Sequence, residues 1–220
     1  MDYYDAGLIN SKLRRWETYL HGYSLPKWDE LPQIGLYMDQ VIELLLAYLN
    51  FLPADDERKL VISANAINNY VRLKVMPAPI KRKYYREHIA YLIMICTLKQ
   101  VLSLSDIKNI IPVDLSGEEL KRMYSGYTET HKHTAEWFVN EVHDSAHKIL
   151  HPEESFSDDD TPEERKGKAV RMNDICFNLI MQISIGAAFS RLLVDKLVGL
   201  QKLSLTAQDS KAANNEEAES

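Results

Sequence analysis

Cysteine and glycine are both scarce in this chain, at 2 and 8 of 220 residues. The cysteines, Cys96 and Cys176, each lie among apolar residues in a helical pattern. Neither their number nor their spacing suits a disulfide framework or a metal site, so buried, reduced thiols are expected. No glycine-rich phosphate loop occurs, and there is no nucleophile elbow, HExxH sequence or pair of catalytic carboxylates. Strand and helix patterns do not alternate, which argues against a nucleotide-binding sheet. An enzyme is therefore not expected, nor is a cofactor. Residues 1–10 have neither the basic nor the apolar stretch of a secretory signal. The longest uncharged run, residues 175–190, falls short of the ~20 residues of a spanning helix and contains Asn178, Gln182 and Ser184. A cytoplasmic protein with no membrane segment is the expectation.

What is present is an ordinary globular balance, 45% hydrophobic and 26% charged, enough for one large or two small domains. The net charge is −6, yet eight Lys or Arg and no Asp or Glu fall between Arg58 and Arg86. A cation excess inside an acidic protein is the electrostatic footprint of a phosphate-binding surface. Ahead of it, Ile9, Leu13, Trp16 and Leu20 predict an amphipathic helix over residues 8–20. Met38, Val41, Ile42, Leu45 and Leu49 predict another over residues 36–52, ended by Pro53 and the acids at 55–57. Between the two, Trp28, Leu31 and Ile34 are expected to pin an irregular segment onto the core.

Residues 63–88 carry the most information. Ser63 is expected to cap a helix that runs to about Leu73. Ile67, Tyr70 and Val71 form its apolar side, while Asn65, Asn68, Asn69 and Arg72, at i, i+3, i+4 and i+7, share one exposed face. Asparagine is a weak helix former, so three in one short helix ask for a functional reason. Asparagine can bond adenine bidentately in the major groove, and arginine can do the same to guanine. Beyond Lys74, Pro77 and Pro79 forbid helix and force an extended turn. Lys81, Arg82, Lys83, Tyr84, Tyr85 and Arg86 then mix cations with aromatics, as in a small β-wing lying along a phosphate backbone. The plainer alternative is a frayed helix followed by a solvated basic loop. From Glu87, the repeat Ile89, Leu92, Ile93 and Cys96 predicts a helix to about Leu102. Ser103 to Asp106 has the form of a capping box for a further short helix through Ile111.

These residues resemble the MerR-type winged helix-turn-helix. The resemblance rests on AINNYVRLKVMP, then a basic Tyr-Tyr segment, then REHIAYLIMICTLKQVLSLSDIKNII, in that order. In that family a recognition helix leads through a short turn to a wing with paired aromatics, and an apolar helix follows. The "Leu-Ser-Leu-x-x-Ile" helix start of the family is matched by residues 102–107. More closely, residues 28–32, 36–41, 67–71 and 81–111 resemble a bacterial family of MerR-like proteins, domain of unknown function 1836. The resemblance covers residues 26–111. It implies double-stranded DNA as partner, with Asn65, Asn68, Asn69, Arg72, Lys74, Lys81, Arg82, Lys83, Tyr84, Tyr85 and Arg86 as the contacting set. Two departures limit it: the first helix is long and separated from the second by residues 53–62, and the outward face lacks the arginine-rich signature of MerR recognition helices. The docking angle and the base specificity therefore do not carry over.

After Pro112, Ser116 and Glu119 form a second capping box. A long helix is expected from there, with Leu120, Met123, Tyr127, His131, Ala135, Phe138, Val142, Ala146 and Ile149 as its stripe. His131 is read as a core histidine. His143, His147 and His151 stack at intervals of four, so a transition-metal site through them competes with a plain solvated face. Residues 152–164 hold seven carboxylates and no cation, a solvated linker. Thr161, Pro162 and Glu164 then open a helix to about Leu203, with breaks expected near Gly186 or Gly199. Its apolar surface is too broad for one neighbour, so an antiparallel pair with residues 120–150 and a homodimer partner are expected.

The expected fold class is therefore all-α with a small β-wing. A winged helix-turn-helix domain with an N-terminal helical extension is predicted over residues 1–112. A C-terminal helical and dimerisation region is predicted over residues 113–203, and a disordered tail over residues 204–220. The leading functional expectation is a DNA-binding transcriptional regulator. An adaptor that turns the basic groove to an acidic protein partner is the alternative, since a fold does not establish function. A metal or small-molecule sensor working through the C-terminal helices is another.

Overall fold

The computed structural model describes residues 6–50, 62–151, 157 and 159–218, and side chains from Leu8 to Leu200 within those ranges. The protein is mainly helical, with no strand among the described residues. Its helices are α1 (Ala6–Gly22), α2 (Met38–Tyr48), α3 (Ala64–Arg72), α4 (Arg86–Leu98), α5 (Leu104–Ile110), α6 (Gly117–Ser145), α7 (His147–Leu150) and α8 (Pro162–Ala218). They form two compact units, Leu25–Thr128 with Arg191–Ser220, and Met1–Ser24 with Glu129–Ser190. The start of α6 falls in the first of these and α1 in the second.

In the unit built on Leu25–Thr128, α4 is the central element. All nine residues from His88 to Cys96 are buried. A helix apolar on every side must be covered on every side, and α2 and α5 both pack on it. Val41 and Leu45 from α2, Leu49 at its C-cap, Ile67 and Tyr70 from α3, Ile107 from α5, and Leu120 and Tyr124 from α6 are also buried. The sequence predicts a single stripe on α4, whereas Ala90, Tyr91, Met94 and Ile95 are buried as well. Tyr91 can be buried because its hydroxyl donates to the Pro112 carbonyl oxygen at 2.8 Å. Tyr124 likewise donates to the Pro26 carbonyl oxygen at 2.8 Å. Trp28 and Leu31 pin the segment before α2, but Ile34 is 72% exposed and does not.

The helix starts follow the sequence closely. Ser63 Oγ accepts from the Ala66 N–H at 3.2 Å, and Ser103 Oγ from the Asp106 N–H at 3.1 Å. Ser116 and Glu119 close a reciprocal capping box, the Ser116 N–H donating to Glu119 Oε2 at 2.9 Å. α2 starts two residues later than expected. Leu36 exchanges backbone hydrogen bonds with Tyr84, both 2.8 Å, which holds it extended. α2 also ends at Tyr48, four residues short of the expected residue 52; Pro53 lies outside the described residues, as do residues 152–156 and 158 of the acidic linker.

The unit built on Met1–Ser24 and Glu129–Ser190 has its own small core. Ala146, Ile149 and Leu150 bury against Met172, Cys176 and Leu179, with Ile9, Leu13 and Ile175 beside them. The predicted single helix through Ile149 is instead two: α6 stops at Ser145, and Ala146, at φ −95° and ψ 4°, leads into one further turn. α1 accounts for that turn's ending. Asn10 Nδ2 donates to the carbonyl oxygens of Ile149 (2.6 Å) and Leu150 (3.1 Å), and Arg14 donates to Leu150 as well. Carbonyls at a helix C-terminus have no partner within the helix, and here side chains of another helix supply one.

α8 opens as predicted, with the Thr161 N–H donating to Glu164 Oε2 at 2.9 Å and Thr161 Oγ accepting from the Glu164 N–H at 3.3 Å. It is unbroken at Gly186 and Gly199 and continues to Ala218, through the residues predicted to be a disordered tail. Residues 204–218 contain no Pro or Gly and hold four Ala, two Glu and one Lys, which favour helix. The expectation of no membrane segment counted only the uncharged run. Over its Pro162–Leu200 portion α8 is long and apolar enough to cross a membrane, by length and composition alone.

Candidate nucleic-acid interface

α3 turns Ile67 and Tyr70 into the core and leaves Asn65, Asn68 and Arg72 exposed, with Asn69 half-buried. Asn69 Oδ1 accepts from the Arg72 guanidinium at 2.7 Å, so two members of the expected face already bind each other. Asn65 and Asn68 have no such engagement among the described residues.

The helix ends in a paired-bond cap. The Val75 N–H donates to the Tyr70 carbonyl oxygen and the Lys74 N–H to that of Val71, at 2.9 and 3.0 Å, with Lys74 at φ 54° between them. That left-handed position is the usual place of glycine. Val75 and Met76 are buried, which carries the chain inward before the proline segment brings it back to the surface. At residues 80–83 a tight turn forms, with Ile80 and Lys83 donating to each other's carbonyl oxygens at 3.0 and 2.9 Å. Its two central residues, Lys81 and Arg82, are left-handed at φ 49° and 63°.

Every non-glycine left-handed residue among the described ones is thus a cation of this segment. Lys74, Lys81 and Arg82 are exposed, and their side chains make no hydrogen bond, ion pair or ring contact among the described residues. A left-handed conformation costs an L-residue about 1–2 kcal/mol, and such positions persist where the surroundings enforce them.

The rest of the expected set has structural work. Lys83 Nζ lies 5.2 Å from the centre of the Tyr37 ring. Tyr84 is 3% exposed, its ring edge-on to His88 at 5.7 Å, so it belongs to the core rather than to a contact surface. Tyr85 covers Gly35 so closely that a Cβ there would stand 2.8 Å from Tyr85 Cζ. Arg86 donates to the Leu31 carbonyl oxygen at 3.3 and 3.4 Å and lies 5.6 Å from the Trp28 ring centre. A planar guanidinium is suited to that combined stacking and hydrogen bonding.

His88 was not singled out by its sequence position. Its Nδ1 accepts from the Tyr85 N–H at 3.1 Å, and its Nε2 meets the Ala78 carbonyl oxygen at 3.0 Å, so the hydrogen sits on Nε2. One buried ring therefore ties both sides of the basic turn to the first turn of α4. The signal available was a histidine at the third helical position after an aromatic pair. That signal is too common to have been decisive.

The histidine row does not converge. His143 Nδ1 is 2.8 Å from Glu17 Oε1, while the His147 and His151 rings pack on each other at 4.6 Å. Among the described residues no group of three His, Cys, Asp or Glu is placed to hold a metal ion. His131 is half-buried 6.0 Å from the Tyr23 ring, and burial holds its pKa below the ordinary histidine value. Both thiols are buried, and burial pushes Cys96 up to about 12, far from a reactive thiolate.

No curated protein and no solved structure matches the chain. A family model does match, over residues 26–127, which are within one residue at each end of the segment Leu25–Thr128 of its unit. The match thus spans the first segment of that unit and not its second, Arg191–Ser220. The model that matches residues 26–127 is described as Domain of unknown function (DUF1836).

Proposed function

We propose that residues 63–86 form a double-stranded DNA interface and that the chain is a cytoplasmic regulator of transcription. α3 would act as a recognition helix and the turn at 80–83 as a compact wing. The observation that carries this reading is the disposition of Lys74, Lys81 and Arg82. Three exposed cations hold strained backbone positions beside an asparagine face, in a protein of net charge −6. Strain kept at an exposed turn indicates a duty other than stability. Phosphate contacts would come from these three, and base contacts from Asn65 and Asn68, with Arg72 released from Asn69 on binding. The division matches the general one, in which backbone contacts position and base contacts specify. No catalytic step is called for.

Binding of genomic fragments from the source, followed by fluorescence anisotropy at ~100 mM salt, tests the reading against typical non-specific affinities. Lys81→Ala with Arg82→Ala is expected to weaken all sequences alike and to flatten the salt slope by about 0.9 per lost phosphate contact. Asn68→Ala is expected to cost about 1–3 kcal/mol of discrimination at one base pair. Binding no stronger than that of an acidic control protein would sink the reading.

One observation favours the second reading, an acidic protein partner. Arg86 is occupied by Leu31 and Trp28, and Tyr84 is buried, so the accessible basic surface is smaller than the sequence suggests. Failure to bind DNA, together with stoichiometric capture of one acidic protein that Lys81→Ala abolishes, would select it.

A further inference from the structure

We infer that the DNA surface proposed above does not end at Arg86 but continues onto α4 and α5, with Lys99 and Lys108 as two further phosphate contacts. The inference rests on the DNA reading and extends its site. Along the sequence the cation run stops at Arg86, and Lys99 and Lys108 follow only 13 and 22 positions later. The fold returns both to α3. Lys108 Nζ donates to the Leu73 carbonyl oxygen at 3.5 Å, and Lys99 Nζ lies 5.5 Å from the centre of the Tyr70 ring. Leu73 stands between Arg72 and Lys74, and Tyr70 follows Asn69. Both lysines therefore lie at the end of the helix that carries the asparagine face.

Charge separates this role from helix capping. A single cation near a helix C-terminus answers the helix dipole. Here Arg72, Lys74, Lys99 and Lys108 gather at the end of one helix of nine residues, and none is ion-paired among the described residues. Like charges held together repel one another, and an anion from outside the chain relieves that repulsion. Residues 63–113 carry eight Lys or Arg against two acids, Glu87 and Asp106, a net +6 in a chain of −6. The two lysines are also loosely held. Both are exposed, and the 3.5 Å bond of Lys108 is longer than the usual range of about 2.7–3.2 Å. The ammonium keeps its other donors for a further acceptor. A lysine is a point charge on a flexible stem, which suits a phosphate rather than a base edge.

The test is the salt dependence of the full chain's binding to a labelled duplex of mixed sequence, followed by anisotropy. Lys99→Gln with Lys108→Gln is expected to flatten the log–log slope by about 1.8, at about 0.9 per lost contact. The fall in affinity between about 50 and 200 mM salt then shrinks about tenfold. Lys99→Arg with Lys108→Arg, which keeps both charges, is expected to restore the slope. Lys132→Gln with Lys166→Gln, in the other unit, changes the net charge equally and is expected to leave the slope as it was. Should the double variant fail to fold, Lys108→Gln alone is expected to flatten the slope by about 0.9. A lowered urea midpoint with an unaltered slope would make the two lysines caps of α3 and overturn the inference. Equal flattening by the pair in the other unit would also overturn it, in favour of net charge alone. If Lys81→Ala with Arg82→Ala flattens the slope and the Gln pair does not, this extension falls while the DNA reading stands. A wild type that binds no duplex would overturn both.

Discussion

Ile80 and Lys83 exchange both of their backbone hydrogen bonds, at 3.0 and 2.9 Å, around two left-handed residues that carry long cationic side chains. Asn-Gly is the usual occupant of such a turn; here it is Lys81-Arg82. Lys81→Asn with Arg82→Gly is expected to stabilise the domain by about 1–2 kcal/mol by relieving the strain. The same pair is expected to lose DNA affinity. A rise in the urea midpoint accompanied by a fall in anisotropy-measured binding would tie the strain to the charge. A fall in both would show that the side chains stabilise the turn itself.

Gly35→Ala tests the packing beneath that turn. The added methyl would stand 2.8 Å from Tyr85 Cζ and 3.0 Å from Lys83 Cβ and Cδ. Lys83 can swing aside, but the Tyr85 ring must shift bodily, so a loss of about 1–3 kcal/mol is expected. Chemical denaturation measures it. An unchanged midpoint would mean that the ring moves without resistance.

Tyr124 and Pro26 join the start of α6 to the chain ahead of Trp28, in the unit that the family domain matches. Tyr124→Phe keeps the ring beside Trp28 but leaves a buried carbonyl without its donor. About 1–3 kcal/mol should be lost, with no change in helix content. Denaturation followed by tryptophan fluorescence is the appropriate probe, and an effect below about 0.3 kcal/mol would show that water replaces the hydroxyl.

His131 predicts a pH dependence. Burial lowers its folded pKa below the ordinary histidine value of about 6.5, so below that pH the unfolded chain takes up a proton that the fold resists. Stability contributed by neutral His131 is therefore present above about pH 6.5 and is lost as pH falls from there toward the folded pKa. His131→Gln should shrink the difference in urea midpoint between pH 7.5 and 5.5. The carboxylates of Glu119, Asp160 and Glu164 act in a lower window. Hydrogen bonds from Ser116, Lys168 and Thr161 respectively hold them below their ordinary values, so their contributions fade only as pH falls through those lowered values.

The elements that the sequence determined by itself are the ones governed by local rules. Ser63, Ser103, Ser116 and Thr161 each open a helix where a hydroxyl meets orphan N–H groups, a matter of three or four neighbouring residues. The buried sides of α3 and the thiols were legible for the same reason: helical periodicity separates inside from outside over a few turns. Long-range contacts decided the rest. Tyr84 and Arg86 read as contact residues because a mixed basic and aromatic run looks alike whether it faces solvent or core. Only the meeting of Tyr84 with His88 and Leu36, and of Arg86 with Trp28 and Leu31, separates the two cases. The ending of α7 at Leu150 is met by Asn10 and Arg14, residues more than a hundred positions away. Likewise, the left-handed backbone at Lys74, Lys81 and Arg82 has no signature in composition, since it comes with the cap of α3 at Lys74 and with the Ile80–Lys83 turn at Lys81 and Arg82.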